Sequence, residues 1–202
     1  MVSWIEQMIS QFGYFAIYLL MIIENVFPPI PSEIILPLTG VLSADGTLSS
    51  VAAILVASAG AMTGAVFWYW VGSRFDEKRL EHFVHHHGRW VGLTPPEYKK
   101  ITGFFKRHQS TAVFLAHLIP GFRSFISIPA GLFKMGKMKF FISSILGITV
   151  WNTFLHGLGY YFQDSYETVS ETVDMVANGI IGVLVLVYIY KVIRYKPPED
   201  KI

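Results

Sequence analysis

The chain has 202 residues, 52% of them hydrophobic and only 15% charged, with a net formal charge of +2 and a mean hydropathy of +0.46. Soluble domains carry about 25% charged residues, so the composition points to an integral membrane protein. The absence of cysteine excludes disulfide and thiolate chemistry.

The basic residues are unevenly placed. None precedes Arg74, eight of the sixteen fall between Arg74 and Arg107, and Arg123 stands alone between apolar stretches. The basic segment is interleaved with Asp76, Glu77, Glu81 and Glu97, which argues against a nucleic-acid partner. The N-terminus lacks a basic n-region and a small-residue cleavage site, so a chain inserted whole is expected rather than a cleaved signal.

Residues 1–11 place Trp4, Ile5, Met8 and Ile9 at helical spacing, predicting an amphipathic interfacial helix. Phe12–Ile23 is apolar but too short for a span of about 20 residues, as is Ile34–Leu42. Between them lies Glu24-Asn25-Val26-Phe27-Pro28-Pro29-Ile30-Pro31-Ser32-Glu33. Two carboxylates and a run of prolines do not suit a continuous membrane helix. Residues 12–42 therefore read as a re-entrant hairpin, with Pro28, Pro31 and Pro37 shaping its breaks. Residues 50–71 form a full span, rich in Gly and Ala and closed by Trp68, Tyr69 and Trp70.

Residues 72–109 read as a basic loop carrying a surface helix from Tyr98 to His108, with Thr94 as a candidate N-cap. The His85-His86-His87 triplet does not make a metal site, because adjacent histidines cannot converge on one ion. Residues 111–133 form a second re-entrant hairpin, broken at Pro120, Gly121 and Pro129. Residues 140–162 form a second full span, and 176–193 a shorter C-terminal one.

The two broken stretches match each other. Pro28 and Pro37 are nine residues apart, as are Pro120 and Pro129, and each pair is followed by a glycine, Gly40 or Gly131. Within the spans, Gly60 and Gly72 are twelve apart, as are Gly147 and Gly159. The positive-inside rule puts residues 72–109 and the C-terminus in the cytoplasm, so the two hairpins enter from opposite faces. The expected architecture is an all-α polytopic membrane protein. It has two inverted repeats, each a re-entrant helical hairpin followed by a transmembrane helix, plus a C-terminal transmembrane helix. In transporters built this way the broken tips meet near the midplane and form the substrate site.

Two motifs carry a family resemblance. One is Glu24-x-x-x-Pro28-x-x-Pro31-x-Glu33. The other is Phe114-Leu115-Ala116-His117-Leu118-Ile119-Pro120-Gly121-Phe122-Arg123, followed by Pro129-Ala130-Gly131 and Met135. Together they resemble the DedA family, also called the SNARE-associated or VTT-domain family, over about residues 10–160. The chain departs from the family pattern at His117, where Arg is common, and at Ala65, near which an Asp is frequent. The resemblance implies transport of lipid across a cell membrane, with undecaprenyl phosphate or a glycerophospholipid as substrate, and dependence on the proton motive force.

On this reading Arg123 is the leading head-group ligand, since an isolated intramembrane Arg faces a cavity or a carboxylate and its guanidinium matches phosphate. A structural ion pair between Arg123 and Glu24 or Glu33 is the competing role. His117 is a second ligand or a packed neutral histidine. Asn152 and His156, one turn apart, either line the cavity or make helix–helix hydrogen bonds. Glu24 and Glu33 are the candidate proton or cation carriers, because burial and a neighbouring Arg act on a carboxyl in opposite directions. Ser32 as an N-cap, with Glu33 in the first turn of a helix, is the alternative. No cofactor is expected, and the partners are a phospholipid or polyprenyl phosphate, with a homo-oligomer left open. A membrane enzyme acting on lipid phosphates through His117 or His156, or a non-transporting scaffold, would be the other functions.

Overall fold

The computed structural model describes residues 2–27, 32–76, 95–120 and 122–163, with six scattered helical positions between 182 and 193. Among the described residues all regular secondary structure is helical. The elements are α1 (Val2–Phe12), α2 (Tyr14–Val26), α3 (Ser32–Ala44), α4 (Ser50–Ser73), α5 (Pro95–Arg107), α6 (Gln109–His117), α7 (Ser127–Leu132) and α8 (Lys137–Tyr161). Pro28, Pro31, Gly121, Thr94 and His85-His86-His87 lie outside the described residues, as does most of the expected span at 176–193.

Among the described residues only α4 and α8 are long and apolar enough to cross a membrane, and α2 and α3 are shorter apolar helices. Helices of that length and apolarity occupy the segments expected to span at 50–71 and 140–162, each slightly longer than foreseen. The pairs α2–α3 and α6–α7 occupy the two broken stretches.

Packing follows one scheme on both sides. Helix α2 packs on α4, and α6 on α8; α3 crosses to α8, and α7 crosses to α4. Glycines mark each crossing. A methyl group at Gly60 would strike Tyr18 and Met21 of α2, and one at Gly147 would strike Phe114 and His117 of α6. Gly40 and Gly159 bring α3 against α8, where Gly159 abuts the backbone of Pro37. Gly131 and Gly72 bring α7 against α4, where Gly72 abuts the backbone of Ile128. Lipid offers helices no hydrophobic drive to associate, so close backbone approach and the dispersion contacts it permits hold such interfaces together.

Two expectations need correction. Pro37 does not break the chain; it lies inside α3. Its missing N–H removes one bond to the carbonyl of residue 33, near the helix start, and the closely packed α8 holds the segment helical. Pro129 likewise lies in the first turn of α7, where a backbone N–H has no intrahelical acceptor and proline is tolerated. Of the described breaks, Pro120 alone sits in a turn, between α6 and α7. The N-terminal helix is amphipathic, as expected, with Ile5 and Ile9 buried against the protein and Trp4 half exposed. The surface helix begins at Pro95, three residues before the expected Tyr98, and inserts Phe105 against Phe133.

Candidate functional site

Helix α2 ends at Val26, with Glu24 and Asn25 buried in its last turn. A carboxylate at a helix C-terminus is opposed by the helix dipole and needs a counter-charge. Arg123 supplies it, forming an ion pair with Glu24 although nearly a hundred residues separate them in sequence; both side chains are over nine-tenths buried. Arg123 lies in the turn after α6. That helix ends at His117, and the described residues from 118 to 126 continue as turns closed by bonds such as Phe122 N–H to Ile119 O (3.2 Å). Pro120 explains the stop, because a proline disfavours helical geometry in the residue before it.

His117 is buried, pressed on Gly147, and close enough to Arg123 to feel its charge. Among the described residues neither ring nitrogen has a hydrogen-bond partner. Glu33 is buried in the first turn of α3, where the dipole favours an anion, and its charge bears on Glu24 across the α2–α3 break. Glu24, Glu33, Arg123 and His117 therefore form one buried, charged cluster where the two broken stretches face each other.

Asn152 and His156 are also buried on α8, but they are tied elsewhere. Asn152 Nδ2 donates to Ser58 Oγ on α4 (3.1 Å), and His156 Nδ1 meets Thr39 Oγ1 on α3 (2.9 Å). Thr39 Oγ1 already donates to Leu36 O (2.7 Å), so the ring must donate to the hydroxyl, leaving Nε2 as a buried acceptor without a partner among the described residues. These are the helix–helix hydrogen bonds foreseen as the alternative to cavity lining.

Three participants escaped the sequence reading. Ser58 and Thr39 are polar groups inside apolar helices, the usual sign of an interhelical bond. Trp68, read as part of an aromatic belt, donates its indole N–H to Asn25 O (3.0 Å) and so satisfies a carbonyl at the α2 terminus. Among the described residues no group of three or more His, Cys, Asp or Glu is placed to hold a metal ion.

A family model described as the VTT domain matches residues 30–161. The chain belongs to the VTT-domain (DedA) family. It is 35% identical over 191 residues to undecaprenyl phosphate transporter A of Staphylococcus aureus (strain NCTC 8325 / PS 47), covering 95% of this chain and 94% of that protein. It is also 35% identical to an alkaline phosphatase-like protein of Lactococcus lactis subsp. cremoris (92% and 87% covered), and 24% identical to protein DedA of Escherichia coli K12 (95% and 89% covered). No solved structure matches. Family and apolar helices together make this a membrane protein. Arg123, His117 and Glu33 fall inside the matched residues, and Glu24 precedes them.

Proposed function

We propose that the protein moves a phosphate-bearing lipid, a polyprenyl phosphate or a glycerophospholipid, across the cell membrane, with Arg123 and His117 on the head group and Glu24 and Glu33 as proton or cation carriers. The observation that carries this reading is the buried Glu24–Arg123 pair. Glu24 and a phosphate compete for the same guanidinium N–H groups of Arg123, because a phosphate that takes the edge facing Glu24 needs the donors that now pair with the carboxylate. A phosphate arriving at Arg123 displaces Glu24, which then sits in the α2 C-terminal field without a counter-charge and takes up a proton. Proton uptake and head-group capture are thereby one event. His117, with both nitrogens unpartnered among the described residues, supplies a further hydrogen bond to the phosphate.

The two helix pairs act as opposed re-entrant hairpins of inverted repeats. The matched glycine crossings support this, since α3 meets α8 as α7 meets α4. In that arrangement residues 72–109 face the cytoplasm, and the head group crosses between the tips while the lipid tail stays in hydrocarbon.

Reconstituted vesicles test the mechanism. Arg123→Ala, Glu24→Ala and Glu33→Ala should each abolish movement of a fluorescent lipid phosphate when equal amounts of folded protein are reconstituted. Full movement by all three variants would sink it. The relative named alkaline phosphatase-like, with a buried histidine, His117, on the helix that leads to Arg123, favours lipid-phosphate hydrolysis as the second reading. Phosphate released from a labelled lipid by purified protein, and lost in His117→Ala, would establish that one instead.

A further inference from the structure

Away from the charged cluster, α4 and α8 run antiparallel and leave an open seam between them. Two cavities lie along it, of about 620 and 460 Å³, and they share Val66 and Phe141 as walls. Each falls within the roughly 300–1,000 Å³ of ordinary ligand pockets. On α4 the seam runs from Leu55 to Ser73, about 27 Å at 1.5 Å per residue, close to the hydrocarbon thickness of a bilayer. Its lining is mostly apolar, and its hydroxyls are largely occupied. Ser73 donates to Trp70 O, Thr63 donates to Ala59 O, and Ser58 accepts from Asn152. Such a seam asks for hydrocarbon, not for a polar ligand.

One end differs. Lys137, the first residue of α8, lines the mouth beside Ser73 and Trp70. The Arg74 guanidinium covers the Trp70 ring at 4.6 Å, and Lys134 and Lys139 are exposed nearby in sequence. Asp76 follows α4, with Glu77, Lys78 and Arg79 next in the sequence. An apolar trough with a cationic mouth matches an amphiphile with an anionic head. A second copy of the chain fits less well, because a twofold interface on this seam would set the same cations against each other.

We infer that the α4–α8 seam docks one hydrocarbon chain of an anionic lipid, whose phosphate sits at Lys137 and Arg74. This site is separate from the Glu24–Arg123 pair and does not rest on lipid transport.

The native chain lacks cysteine, so a single Met138→Cys substitution, at an exposed position, can carry a bimane fluorophore at the mouth. The labelled protein is placed in phosphatidylcholine vesicles. These contain graded amounts of either dibrominated phosphatidylglycerol or dibrominated phosphatidylcholine. The expected result is half-maximal quenching at about fivefold lower phosphatidylglycerol than phosphatidylcholine, the worth of one basic residue at a membrane surface. Lys137→Glu should bring the two curves together. Val66→Trp, which fills the seam without touching charge, should do the same. Equal curves in the starting protein would overturn the assignment. So would a preference that survives Val66→Trp, which would reduce it to surface attraction. Absent quenching, with disulfide-linked dimers in the unlabelled Met138→Cys protein, would give the seam to a second copy and equally overturn it.

Discussion

Removing one member of the Glu24–Arg123 pair should destabilise the protein more than removing both. The two side chains are 7% and 6% exposed, so neither charge can turn to water if its partner disappears. Stranding a buried charge costs about 3–5 kcal/mol, whereas deleting both charges leaves mainly a packing defect. For a chain of this size about 2–4 °C of melting temperature corresponds to 1 kcal/mol. Glu24→Ala and Arg123→Ala should therefore each melt about 6–20 °C below the parent. The double variant should recover at least half of the larger loss. Melting followed by size-exclusion chromatography in detergent reads all four proteins, and repeating it at high salt adds a check, since a buried pair is little screened. If the double variant loses the sum of the two single losses, the charges are independently solvated and the pairing argument fails.

Two further substitutions probe the crossings. Gly159→Ala would drive a methyl group into the Pro37 backbone and should cost about 1–3 kcal/mol, while Gly157→Ala, with nothing within 4 Å, should gain up to about 1 kcal/mol from helix propensity. Opposite shifts in melting temperature from two glycines on one helix are the expected result; equal shifts would contradict the close approach. Thr39→Val should cost about 1–3 kcal/mol by stranding the His156 Nδ1–H, and Thr39→Ser should melt near the parent. A harmless Thr39→Val would mean that the imidazole donates elsewhere.

Much of this arrangement is readable in the chain, because membrane packing leaves strong local marks. Every glycine in the matched series, from Gly40 to Gly159, sits at a helix crossing, since only glycine allows backbones so near. The isolation of Arg123 among apolar residues foretells a buried partner, and Glu24 is that partner. The prolines mislead. Pro37 and Pro129 read as breaks by residue type, but their effect depends on place in the helix and on what packs behind it. The partners of Asn152 and His156 are likewise out of reach. A polar residue at helical spacing announces an interhelical bond without saying which helix will answer it.

The exchange of partners between α3 and α7 bears on how the chain is made. Helix α3 leaves the ribosome early, yet the surface it needs lies on α8; Thr39 and His156, which join the two, are 117 residues apart. Until α8 arrives, Gly40 and the bare face of α3 have nothing to close upon, and α2 with α4 forms an incomplete half. Assembly must therefore wait for nearly the whole described chain. Contacts between residues so distant in sequence form slowly and expose unfinished surfaces meanwhile. Weakening the α3–α8 crossing should accordingly show first as loss of protein during biosynthesis, before any change in what the finished molecule does.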